Sequence, residues 1–167
     1  VGLLVGGVFT AAAACVLGAA LLRPWMPDAL LNALVALVAV LALARQAGLP
    51  IPLPQNARQV PEYIEGRGPR AGPLQFGVEM GTGLRTFMTS PVPHLALVAV
   101  VAWADLPAAL IAGASFGAGR ALMSLSRHAS HDRAAWDARL AAREGVVKVA
   151  MLIAALVSIV TIYLTNH

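Results

Sequence analysis

Apolar residues run through this chain in blocks too long and too uniform to alternate with a water-facing surface. The first is VGLLVGGVFTAAAACVLGAALL, and LLNALVALVAVLALARQAG follows after a short polar turn, Arg23-Pro24-Trp25-Met26-Pro27-Asp28. A helix crosses the hydrocarbon core of a bilayer with about 20 predominantly apolar residues, and five segments reach that length: about 1–22, 29–47, 74–103, 106–125 and 146–165. The expected fold is therefore all-α, a polytopic membrane helix bundle of about five transmembrane helices forming a single integral membrane domain over 1–167.

Two polar connections separate the blocks. The first, 48–73, carries prolines at 50, 52, 54, 61, 69 and 73. That density forbids a continuous helix and favours extended backbone. The second, 126–145, holds SRHASHDRAAWDARLAAREG, which alternates charge sign. It predicts a short water-exposed or interfacial helix with Trp136 and Leu140 as one apolar stripe.

Composition strengthens the membrane reading: 59% of the 167 residues are hydrophobic and 12% charged, against about 45–50% and about 25% in ordinary soluble domains. The net charge of +4 sits between the apolar blocks, which is how membrane proteins carry it and argues against a nucleic-acid partner. Arg58, Arg67 and Arg70 belong to the first polar connection, with Arg45 just before it, and Arg127, Arg133, Arg139 and Arg143 to the second, with Lys148 just after it. The turn after the first block has Arg23, while Trp103-Ala-Asp-Leu-Pro107 and the tail have no Lys or Arg. By the positive-inside rule both basic loops are cytoplasmic, Val1 lies inside and His167 outside, in a bacterial-type inner membrane. The first block is too long for a signal-peptide core and has no charged leader, so it reads as a span. The chain opens at Val1 inside that block, and the expectation is a fragment with its own N-terminus missing. The expected partners are the bilayer and other membrane subunits. No cofactor is indicated. Cys15, the one cysteine, excludes an internal disulfide framework and reads as a small buried hydrophobe.

The polar stretch MGTGLRTFMTSPVPH, residues 80–94, interrupts this pattern. On a continuous helix Glu79, Thr82, Arg85, Thr86, Thr89 and Ser90 fall in one arc of roughly 140°. An ionised group facing lipid is costly, so the arc should face other helices or a water-filled cavity. Arg85 then either pairs with a carboxylate or carbonyl, or contacts an anion or substrate; Glu79 lies near enough to the end to snorkel. Pro91 and Pro93 each remove a backbone donor, predicting a helix break from Ser90 to His94 that is buried in protein or lines a cavity. Glu79, Thr82, Arg85, Thr86, Thr89, Ser90, Pro91, Pro93 and His94 are thus the candidate substrate-binding residues. A kink used only for packing is the plain alternative.

Gly113 and Gly117 form a GxxxG face that permits close helix approach, internally or between chains. His128, His131 and Asp132 have the i, i+3, i+4 spacing of metal ligands but lack a third ligand and a general base, so a solvated helix face is expected and no metal. No complete catalytic constellation is visible.

The region 71–125 resembles the DsbD/CcdA transmembrane family, in the glycine-rich approach to Ser90-Pro91-Val92-Pro93 and in Phe116-Gly-Ala-Gly-Arg-Ala-Leu122. The resemblance implies six helices as two inverted three-helix repeats, here truncated by one helix before Val1. It also implies transmembrane passage of reducing equivalents through a cysteine pair. Val92 stands where that family's cysteine is expected, and Cys15 lies outside any Pro-Cys motif. Thiol exchange needs an attacking thiolate and a disulfide partner, so that activity does not carry over. Three functions remain: binding or movement of a small solute or ion at the broken helix, a non-catalytic membrane subunit of a larger complex, and a thiol or electron conduit using a cysteine from elsewhere.

Overall fold

The computed structural model describes residues 1–52, 68, 71–83 and 90–166, with Ser158, Ile162, Thr165 and Asn166 described by backbone alone. Regular structure among them is helical: α1 (Gly2–Leu17), continued by a π-helical turn (Gly18–Leu22), then α2 (Asp28–Gln46), α3 (Ala71–Gly81), α4 (Val92–Trp103), α5 (Leu106–Ala129), α6 (Arg133–Ala142) and α7 (Glu144–Asn166). Among the described residues four helices are long and apolar enough to cross a membrane: α1 with its π turn, α2, α5 and α7.

The expected third span, 74–103, is not one helix. It divides into α3 and α4, of 11 and 12 residues, about 17 and 18 Å long and each short of a 30 Å hydrocarbon core. The division has a local cause. Gly83 has φ +72°, a left-handed conformation that ends a right-handed helix and that glycine adopts without strain.

Helix ends follow their residues. Asp28 sits in the first turn of α2 and Arg45 in the last, each on the favourable side of the helix dipole. Gly48, at φ +102°, closes α2, with its N–H donating to the Arg45 carbonyl and that of Leu49 to the Ala44 carbonyl. Asp105 caps α5, its carboxylate accepting from Ala108 N at 2.8 Å, and Asp132 caps α6 through Ala135 N at 2.9 Å.

Two sets of contacts organise the bundle. One is apolar: Leu31, Val35 and Ala42 of α2 pack on Leu95, Ala99 and Ala102 of α4. The other is made by small residues. Gly2 and Gly6 of α1 lie against the backbone of α3 around Gly77 and Gly81, while Gly7 meets Gly113 and Gly117 packs on Leu3 and Leu4. Without Cβ atoms these backbones approach closely, so dispersion contacts replace the hydrophobic drive that lipid removes. The Gly113/Gly117 face is thus turned to α1 within the chain. The lipid-compatible exterior is apolar too, as in the exposed Ile153, Val157, Val160 and Leu164 of α7.

The ends of the bundle differ in chemistry. Trp103 donates from Nε1 to Asn32 Oδ1 at 2.9 Å and stacks edge-on to Tyr163 with centroids 5.3 Å apart. Trp and Tyr are enriched at membrane–water interfaces in general. Toward the other end, α6 carries Trp136 and Leu140 half-buried among exposed polar residues.

Candidate functional site at the broken helix

The break is built from short-range hydrogen bonds. Thr82 Oγ1 donates to the Glu79 carbonyl at 2.7 Å, and Thr10 Oγ1 reaches from α1 to the Thr82 carbonyl at 3.3 Å. Gln75 Nε2 donates to Glu79 Oε1 at 3.0 Å, one turn along α3. On the far side of the break Ser90 is buried, and its Oγ accepts from Val92 N at 3.3 Å. That bond holds the chain as it turns into α4.

The two prolines act differently from the sequence expectation. Pro91 occupies the N-cap of α4 and Pro93 its first turn, where no preceding carbonyl awaits an N–H. They start a helix. The helix lost its continuity earlier, at Gly81 to Gly83, so a single helical arc from Glu79 to Ser90 does not exist. Glu79 and Thr82 belong to the end of α3, Ser90, Pro91, Pro93 and half-buried His94 to the start of α4. Arg85, Thr86 and Thr89 lie outside the described residues.

A groove of about 1400 Å³ adjoins the break, running between α5 and α7 over α4. Ser90, Val92 and Arg120 line it, with Ala108 and Asp105 farther along. Because α4 and α5 are antiparallel across the short turn at Ala104–Asp105, the start of α4 and the second half of α5 lie at one end. Ser90, Arg120 and Lys148 therefore share the polar end of a mostly apolar groove. A smaller cavity of about 300 Å³ beside it is lined by Arg45, Gln46, Pro91 and Lys148.

Several polar residues serve the scaffold. Arg23, read from sequence as a turn residue, donates from Nε to the Val101 carbonyl at 3.0 Å and from Nη2 to those of Val100 and Ala104 at 2.9 and 2.8 Å. It reaches the Val101 carbonyl at the C-terminus of α4 and gives the Val100 carbonyl, which also accepts from Ala104 N at 3.2 Å, a second donor. Cys15 is buried and its thiol donates to the Ala104 carbonyl at 3.2 Å. Asp132 is the α6 cap, and among the described residues no three His, Cys, Asp or Glu side chains group to hold a metal. Arg127 forms a fork with Asp137, both contacts 2.8 Å. The Arg127 guanidinium, chiefly by hydrogen bonding, holds the Asp137 carboxyl below its usual range.

Sequence reasoning missed Arg23, the glycines of α1 and α3, and Arg120 facing the groove. The glycines had a signal: Gly2/Gly6 and Gly77/Gly81 repeat the GxxxG spacing that singled out Gly113 and Gly117. Arg23 had none, because its acceptors are backbone atoms nearly 80 residues away.

No family model, curated protein or solved structure matches the chain.

Proposed function

We propose that the chain is a multi-pass membrane protein that binds or moves a small solute or ion at the broken helix. One observation carries the reading: α3 and α4, each too short to span, meet at a break whose buried Ser90 borders an open groove. Discontinuous helices expose backbone polar groups at membrane depth, where they are tolerated in contact with protein, water or a polar ligand. Arg85 and Thr89, which fall between the two helices in sequence, are its proposed ligand contacts. The test is uptake of a panel of small solutes and ions by proteoliposomes. A solute taken up by the wild-type protein should be lost in Arg85→Gln/Thr89→Ala. Unchanged uptake in that variant sinks the site assignment.

In the same proposal the basic connections face the cytoplasm and His167 the outside of an inner membrane, which sided labelling of cysteines introduced at 133 and near the C-terminus would check. DsbD/CcdA-like architecture is proposed on the break before Val92 and the tight α4–α5 hairpin. A full-length structure with six helices and a two-fold relation between halves would support it; five unrelated helices would dismiss it. Its thiol chemistry is not proposed for this chain alone, given buried Cys15.

A second reading, a non-catalytic subunit of a larger complex, draws on the apolar outer face of α7. Purification in mild detergent separates the two: a stable monomer active in uptake removes the subunit reading.

A further inference from the structure

Arg120 is an unusual residue for its position. It lies in α5, a helix long and apolar enough to span a membrane, and is half-buried beside the groove. Its guanidinium carbon sits 5.7 Å from the Phe116 ring centroid. Among the described residues its side chain makes no hydrogen bond or ion pair, while its carbonyl accepts from Ser124 Oγ at 3.2 Å. The acidic side chains that line the same groove are engaged elsewhere: Asp137 with Arg127 at 2.8 Å, Glu144 with Lys148 at 2.5 Å, and Asp105, at the far end, with Ala108 N at 2.8 Å. Five N–H donors at membrane depth need acceptors, and a planar guanidinium suits a phosphate oxygen pair.

We propose that the α5–α7 groove is a binding site for an anionic phospholipid, with an acyl chain in the groove and the phosphate on Arg120. Length supports the assignment. From Ala108 to Arg120 the groove wall on α5 runs about 18 Å, close to the roughly 15 Å of one leaflet's hydrocarbon. The wall between them is Ile111, Ala112, Ser115, Phe116 and Gly119, apolar or small throughout. Seven residues beyond Arg120, at about 10 Å, Arg127 lies near the end of the helix and half exposed. Arg120 thus lies about 10 Å inside the Arg127 end of α5, from where its long side chain can snorkel along the groove toward the headgroups. Ser124, whose hydroxyl donates to the Arg120 carbonyl at 3.2 Å, lines the groove one turn farther along. Charge complementarity selects an anionic over a zwitterionic headgroup, since Arg120 is the cation in the groove that no carboxylate of the described residues offsets.

The inference rests on the membrane placement proposed above and is independent of any solute at the break. Its test uses delipidated full-length protein in mild detergent, offered phosphatidylglycerol or phosphatidylcholine with identical acyl chains, with retained lipid counted by native mass spectrometry. Wild type should prefer phosphatidylglycerol about fivefold, the worth of one interfacial arginine. Arg120→Gln should bring that preference within twofold, and Arg133→Gln, at an exposed site outside the groove, should keep it. Ala112→Trp, which fills the groove, should lower retention of both lipids. Equal retention of the two lipids by wild type overturns the proposal without reference to any variant. An unchanged preference in Arg120→Gln overturns it as well. Protection against thermal unfolding by inorganic phosphate equal to that by phosphatidylglycerol would mark a free-anion site instead. Loss of solute uptake in Arg85→Gln/Thr89→Ala with lipid preference intact would leave both proposals standing, so the two fail separately.

Discussion

Replacing Gly113 with alanine tests the close packing of α5 against α1. A Cβ there would lie 2.5 Å from the Gly7 carbonyl oxygen and 2.8 Å from Ala11 Cβ, about 0.9 Å inside ordinary contact with the oxygen. The obstacle is backbone, so a rotamer change cannot relieve it. Helix α1 would have to move, and its Gly2 and Gly6 are packed on α3. Gly119, two turns away in effect but on the same helix, has open space around its Cβ position. Gly→Ala gains similar intrinsic helix stability at both sites, about 1 kcal/mol, so the difference between the two variants isolates the clash. Overpacking of this kind costs about 1–3 kcal/mol. The assay is reversible unfolding by SDS in mixed micelles, followed by helical circular dichroism. Gly113→Ala should unfold more easily than Gly119→Ala by that amount, and adding Ala11→Gly should not restore it, because the Gly7 oxygen remains. Equal stability of the two single variants would refute the close approach of α1 and α5.

Other consequences follow from the polar contacts. Arg23→Gln should destabilise by at least about 1.5–3 kcal/mol in the same assay, since charged hydrogen bonds to α4 carbonyls are lost; Arg23→Lys should recover only part, lacking the fork. The Asp137 carboxyl is held below its unfolded value, so its contribution is present above that value, about pH 4, and is lost as pH falls through the lower folded one. Amide protection in α6, taken relative to the intrinsic exchange rate at each pH, should therefore fall on acidification, and Asp137→Asn should show the lower protection at neutral pH with less dependence on pH. Buried Cys15 should react with maleimide only after unfolding; rapid labelling of the folded protein would contradict its burial against Ala104.

The periodicity of Leu, Ala and Val made most of the fold legible, because a bilayer imposes length and uniform apolarity on any helix that crosses it. The third span misled for a physical reason. Hydropathy averages over a window, and a left-handed glycine such as Gly83 ends a helix without changing that average. Proline was the visible breaker, yet Pro91 and Pro93 stand where proline favours helix initiation. In the candidate site, the residue types around Ser90 were visible as polar intrusions. The groove and Arg120 were not, since a cavity between α5 and α7 depends on tertiary placement. The run Gly117 to Arg120 showed the glycine and the arginine, but not that Gly117 faces α1 while Arg120 faces the groove.

The central claim is that a polar, hydrated break lies within the membrane-embedded part of the chain. Its most direct measurement is the rate at which a charged, water-soluble thiol reagent modifies Thr82→Cys and His94→Cys in reconstituted Cys15→Ser protein. Water and ionisation are both needed for the reaction. Both sites should label faster than Ile153→Cys and Val160→Cys on the exposed apolar face of α7. Labelling at Thr82→Cys and His94→Cys as slow as on that face would contradict the account.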